Sequence, residues 1–245
     1  MKLKSYCALT HQGPFLEINE DAYDFDLDHQ LFFIIDAFGG AGIGDKASVK
    51  IKEDLKTYIN QLTDDPDATM PLYWSARWPM EGNALANAMI KSHQALHKAN
   101  SQVGLNKRAG ASLACAVKTG DLLILSQVGN TSVYLSRHGK TSSLFLPDTH
   151  QYYSADPQGP SALHYPVGAF GFFPELTWSM REVKIREGDK FLFLTEGVAP
   201  RVELQEISHI LSRNDADGQY KLNDLLKLSN ERGNYSNQTA MILEF

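Results

Sequence analysis

The chain has 245 residues, 43% of them apolar and 21% charged, with a formal net charge of −6. These proportions exclude the weakly hydrophobic, highly charged regime of intrinsic disorder, and at this length they predict one packed domain over residues 1–245. The negative charge is dispersed with no basic stripe set against it, which argues against a nucleic-acid partner, and no run approaches 18 apolar residues, which argues against a membrane span.

The N-terminal segment reaches His11, Gln12 and Glu17 without a sustained apolar stretch, so it does not read as a secretory leader and a cytoplasmic location is expected. Cys7 and Cys115, the two cysteines, both lie in apolar runs, where cysteine behaves as a small hydrophobe. A disulfide framework is excluded, and a reducing compartment fits.

In chain order, residues 3–9 read as a strand, and 31–36 (Leu-Phe-Phe-Ile-Ile-Asp) as a short, strongly apolar strand ending on a carboxylate before Gly39-Gly40. Val49, Ile51, Leu55, Ile59 and Leu62 recur at approximately helical spacing and predict a helix over 45–62, which Asp45 can cap. Pro, Asp and Trp break periodicity over 63–79, and a second helix over 81–102 presents Leu85, Ala88, Met89, Ser92, Leu96 and Ala99 on one side. Runs at 112–118, 122–128 and 132–136, punctuated by Gly120-Asp121 and Gly129-Asn130, predict an antiparallel meander. Residues 148–174, rich in Pro, Gly and Tyr, read as a long surface loop or flap. Strands at 176–185 and 190–195, helices at 204–213 and 222–231 and a strand at 239–245 complete the chain. Helices paired between sets of strands argue for packed sheets with flanking helices and against regular βα alternation.

Four acidic residues fall where strands end or turns begin: Glu20 and Asp21 in Ile-Asn-Glu-Asp-Ala, Asp36 in Ile-Ile-Asp-Ala-Phe-Gly-Gly, and Glu196 in Phe-Leu-Thr-Glu-Gly-Val. Any one of them is accounted for as a turn residue. Taken together, carboxylates after apolar strands and before glycines suit hard cations such as Mg²⁺ and Mn²⁺, which prefer oxygen ligands.

The order and spacing of these segments resemble the type 2C metal-dependent Ser/Thr protein phosphatase (PPM) family, of which the chain looks like a divergent member. Asn19-Glu20-Asp21 is followed by the apolar strand, Asp36-Ala37-Phe38-Gly39-Gly40 and Lys46-Ala47-Ser48, in place of the family's Asn-Glu-Asp, Asp-Gly-x-Gly-Gly and Ala-Ser. Gly110-Ala111-Ser112, Val128-Gly129-Asn130-Thr131-Ser132, Val167-Gly168-Ala169-Phe170-Gly171, Leu194-Thr195-Glu196-Gly197 and Ser236-Asn237-Gln238-Thr239 continue the similarity across nearly the whole chain. The resemblance implies an α+β fold, a four-layer αββα sandwich of two mainly antiparallel sheets flanked by helix pairs. It also implies a cleft holding Mn²⁺ or Mg²⁺, two ions or one, that activates water for hydrolysis of phosphoserine or phosphothreonine. By this carry-over Asp36 bridges the ions, Glu20 holds one of them directly or through water, Glu196 binds the other, the Ala37 carbonyl completes the shell and Asp21 orients water or a ligand. The partner would be a phosphorylated substrate protein or a regulatory protein in signalling.

Several chemical positions depart from the pattern. Leu16 stands where the family has its phosphate-gripping arginine, Ser236 and Asn130 replace aspartates, Pro200 replaces an acidic residue, Phe38 occupies a position that some relatives fill with histidine, and Glu196 is one methylene longer than the usual aspartate. The alternative these departures imply is a catalytically impaired pseudophosphatase that binds a phosphoprotein or regulatory partner. Of the remaining motifs, His93 and His97 lack an HExxH setting and read as a polar helix face, residues 39–44 lack the ending of a P-loop, and Trp74 and Trp78 read as packing residues.

Overall fold

A computed structural model describes residues 1–39, 43–64, 69–145, 147–156, 159–213 and 217–245, with backbone alone at 62–64, 151–156 and 159–165. Its strands are β1 (Ser5–His11), β2 (Ala22–Asp26), β3 (Leu31–Gly39), β4 (Ala109–Thr119), β5 (Leu122–Val128), β6 (Ser132–Arg137), β7 (Lys140–Phe145), β8 (Thr149–Asp156), β9 (Gly159–Pro166), β10 (Ser179–Lys184), β11 (Lys190–Leu194) and β12 (Gln238–Glu244). The α-helices are α1 (Gly44–Asp64), α2 (Met80–Asn100), α3 (Leu204–Ser212) and α4 (Gly218–Glu231). Two five-stranded antiparallel sheets, ordered β1-β12-β11-β6-β7 and β10-β5-β4-β3-β2, carry the fold.

Side-chain alternation explains why these sheets stack. Along β3, Leu31, Phe33, Ile35 and Ala37 pack with Ile51, Leu55 and Ile59 of α1 and Leu85 and Met89 of α2, while Phe32 and Ile34 face the other sheet. In the opposite sheet Phe191, Phe193, Met241 and Leu243 turn towards Phe32 and Ile34, and Leu192, Leu194, Ala240 and Ile242 turn towards α3 and α4. A strand apolar on both faces therefore reads as an unbroken run, and the layer order is helices, sheet, sheet, helices, as expected.

Several local expectations are corrected. The segment 148–174 contains a hairpin, β8 paired with β9 from Thr149↔Pro166 to Asp156↔Gly159, which its Pro and Gly content concealed. The meander does not continue through residue 132: β5 lies beside β4, but β6 belongs to the other sheet beside β11. Gly129, at φ +72°, makes that switch, and a Cβ there would strike Ser112 and the Gly168 carbonyl. Asp45 lies within the first turn of α1 instead of capping it. Strands β2 and β7 were not expected. The first alternates acids with aromatics, and its Asp24 is held by Lys52 and Lys56 of α1.

His93 is buried rather than part of a polar face. Its Nδ1 accepts the Gly171 N–H at 3.2 Å and its ring stacks on His97 with centroids 5.9 Å apart. Trp74 is exposed rather than packed. Among the described residues no helix is long and apolar enough to cross a membrane.

Candidate functional site

The predicted acids come from both sheets. Asp36 sits near the end of β3 opposite Ser112 of β4, and Glu20 and Asp21 immediately precede β2. Glu196 follows β11 in the opposite sheet, and its backbone N–H donates to Asp36 Oδ2 at 3.0 Å, so one hydrogen bond spans the two sheets at this edge. Gly197 next to it leaves no room for a side chain, since a Cβ would run into the Asn237 carbonyl.

Asp21 is buried beneath this contact. Its Oδ2 accepts from the hydroxyls of Thr195 (3.0 Å) and Thr239 (2.9 Å), whereas Oδ1 has no hydrogen-bond partner among the described residues. The pairing register places the threonines: Thr239 faces Thr10 across the β1–β12 ladder, and the two hydroxyls lie 2.8 Å apart. Asn19 donates to Thr10 at 2.8 Å and accepts the Asp21 N–H at 3.2 Å, closing a network from the loop before β2 to β12. The sequence assigns the threonines no role, because threonine is an ordinary strand residue and gives no signal until its register is known.

Glu20 lies at the rim, its carboxylate accepting the Gly44 N–H at 2.7 Å and its own N–H donating to Asn237 Oδ1 at 2.9 Å. Asn237 also donates to the carbonyls of Gln12 and Ile18, which ties the loop carrying Glu20 to the approach to β12. Ala37 follows Asp36 on β3 and its side chain belongs to the core.

Burial raises the carboxyls of Glu20, Asp21 and Asp36. The Asp21 carboxyl is pushed well up by burial first and by the Asp36 charge next, against the two threonine hydroxyls, with Glu196 adding to the rise. Asp36 is pushed up to about 7 by burial and the neighbouring Glu196 charge, opposed by the Glu196 N–H. Glu20 is raised by burial, opposed by the Gly44 N–H and reinforced by Asp45. The fold therefore gathers Asp36, Asp21 and Glu196 into one electrostatic cluster, with Glu20 beside it.

Among the described residues Arg201 brings a cation to the cluster, its Nη1 3.4 Å from Glu196 Oε1. Of the positions that depart from the family pattern, Pro200 lies in the short turn Ala199–Arg201, Ser236 in a turn closed by Asn234, Asn130 is buried with its N–H on Ser112, and Leu16 is exposed. Phe38 packs on Phe172.

Whether these residues suit divalent ions can be judged from their donors. All are oxygens, three carboxyls are raised by burial and mutual charge, and a buried Asp21 oxygen is unpartnered, which fits a hard cation. Among the described residues, however, no three His, Cys, Asp or Glu side chains converge as a ready-made cage, and Ser236 supplies no carboxylate. The set fits one ion better than two.

No protein-family model and no curated protein matches the sequence. Solved structures do match. PppA, a key regulatory component of T6SS in Pseudomonas aeruginosa, superposes with a TM-score of 0.78 at 21% identity over 99% of this chain and 98% of that one. The PPM Ser-Thr phosphatase MsPP from Mycobacterium smegmatis, solved with cacodylate, gives 0.72 at 18% identity over 100% of both chains. The catalytic domain of the serine threonine protein phosphatase PstP, solved with two manganese ions, gives 0.72 at 21% identity over 98% of this chain and 97% of that one. At these identities the likeness establishes the fold, which is the α+β sandwich of PPM-type phosphatases.

Proposed function

We propose that the chain is a divergent PPM-family phosphatase, one domain over residues 1–245, that hydrolyses phosphoserine or phosphothreonine on proteins with the help of Mn²⁺ or Mg²⁺. The observation that carries this reading is the convergence of Asp36, Asp21 and Glu196 across the two sheets, with Asp36 pushed up to about 7 by burial and a like charge. Clustered buried carboxylates with raised pKa values are held apart from their ionised form until a cation compensates them.

Asp36, Glu20 and the Ala37 carbonyl would hold the ion, with Glu196 beside them. When bound, such an ion polarises a phosphoryl oxygen and lowers the pKa of a water. Asp36 orients the cluster through the Glu196 N–H, and Asp21, fixed by Thr195 and Thr239, keeps an unpartnered oxygen available to hold a proton or orient water. The fold shared with PppA, described as a regulatory component, supports a signalling role for this chain, with a phosphorylated or regulatory protein as partner.

The test is hydrolysis of an aryl phosphate and of phosphopeptides with and without Mn²⁺. Stimulated turnover that disappears in Asp36→Ala is expected. A folded, Mn²⁺-loaded protein that turns over neither substrate would refute the reading.

A second reading, a non-catalytic phosphoprotein-binding or regulatory module, is favoured by the exposed Leu16, which leaves the family's phosphate-gripping position without a cation, and by Ser236. Calorimetry separates the two, because absence of Mn²⁺ binding supports the second.

A further inference from the structure

Resting on the cation-site reading, we infer that Arg201 is a built-in positive charge that occupies Glu196 and reduces the centre to one divalent ion, held on the Asp36, Glu20 and Ala37 carbonyl side. The position of the guanidinium is the starting point. Arg201 Nη1 lies 3.4 Å from Glu196 Oε1 and 3.2 Å from the Glu196 carbonyl, and both side chains are largely buried, 17% and 15% exposed.

This contact is held from several sides. Arg201 Nε reaches the Gly233 carbonyl at 3.4 Å, just after α4, and the Arg201 carbonyl accepts from Arg232 Nη1 at 2.8 Å. Arg232 in turn grips Glu206 of α3 through both terminal nitrogens, at 2.7 and 2.6 Å. Pro200 fixes one backbone torsion of the short turn that presents the guanidinium. A cation anchored this way is part of the architecture rather than a surface side chain that happens to find an acid.

The glutamate at 196 fits the same scheme. Its backbone N–H is committed to Asp36, and the longer side chain carries the carboxylate to Arg201. Ser236, close by in the turn before β12, adds no charge to draw a second ion against the repulsion of the guanidinium. The Glu20 carboxyl accepts the Gly44 N–H at 2.7 Å, and no lysine or arginine among the described residues is bonded to it. The unpartnered, buried Asp21 oxygen is a further acceptor within the cluster. The chemistry thus separates into a side already neutralised by arginine and a side that still calls for a hard cation.

The experiment counts Mn²⁺ ions, by electron paramagnetic resonance of free Mn²⁺ and by calorimetry, on the wild type, Arg201→Lys, Arg201→Gln and Arg201→Gln/Ser236→Asp, with circular dichroism confirming that each is folded. One ion is expected for the wild type and for Arg201→Lys, which keeps the charge, and two for the folded double variant. Two ions on the wild type, or a folded double variant that stays at one, overturns the role of Arg201 and leaves the cation-site reading standing. No ion on any of the four overturns both.

Discussion

Neutralising Asp36 should stabilise the metal-free protein, and increasingly so as the pH rises. The carboxyl ordinarily titrates near 3.8 and is pushed up to about 7 in the folded protein by burial and the Glu196 charge. Between those values the folded state holds a proton that the unfolded state has released, so stability falls as pH climbs through the window. With these two values the charge costs just under ~2 kcal/mol at pH 5 and just over ~4 kcal/mol at pH 8. Asp36→Asn removes the charge and retains an oxygen for the Glu196 N–H. Urea unfolding in EDTA should therefore show the variant more stable than the wild type, with the gap widening by about 3 kcal/mol from pH 5 to pH 8. In thermal melts this corresponds to a midpoint difference that grows by roughly 5–10 °C for a chain of this length. Saturating Mn²⁺ at pH 8 should reverse the order, because binding to the folded wild type alone adds stability by mass action. A gap that stays constant or narrows between pH 5 and pH 8 would show that Asp36 is not held in its neutral form by its surroundings.

Other substitutions probe the frame around the cluster. Thr239→Val removes a hydroxyl that donates to the buried Asp21 carboxylate and should cost about 1–2 kcal/mol in calorimetric melts, with little effect of Thr239→Ser. Arg137 places Nε and Nη2 on the two oxygens of fully buried Asp189, at 2.7 and 2.6 Å; Arg137→Met should lower urea stability by about 3–5 kcal/mol, and adding Asp189→Asn should recover part of it. Gly197→Ala forces a Cβ into the Asn237 carbonyl and should cost about 1–3 kcal/mol while weakening Mn²⁺ binding in titration calorimetry, because Asn237 also holds the Glu20 backbone.

What the sequence discloses depends on whether a residue's role is written in its neighbours along the chain or only in those across the fold. Residues 31–36 declare β3 because both its faces are buried, and the acids declare themselves by standing where apolar strands run out. Strand β2 is hidden because its two acids interrupt the apolar pattern, one of them answered by lysines from α1 more than 25 residues away. The hairpin of β8 and β9 is hidden because proline and glycine at its ends mimic a loop. The step of the chain between sheets at Gly129 is a matter of partner choice, which no local pattern records. At the site, Asp36 and Glu196 are visible one at a time, yet their contact, the two threonines on Asp21 and the guanidinium on Glu196 exist only once β3, β11 and β12 have been set in register.

The placement of the cluster follows from the same layering that buries the core. The inter-sheet space is filled by Phe32, Ile34, Phe191, Phe193, Met241 and Leu243, and it ends where Asp36, Asp21, Thr195 and Thr239 replace the apolar side chains. At that edge the two sheets are joined by the Glu196 N–H on Asp36 and by the threonine hydroxyls on Asp21, so the polar seam that closes the sandwich is also the group of carboxylates proposed to receive a cation. On that proposal, stability and cation affinity are coupled through the same atoms. The charge that makes the seam costly in the empty protein is the charge that favours an ion, and Arg201 offsets part of both. A substitution that relaxes the seam, such as Asp36→Asn, should for that reason gain stability and lose cation binding together, as expected of a site kept under strain for its function.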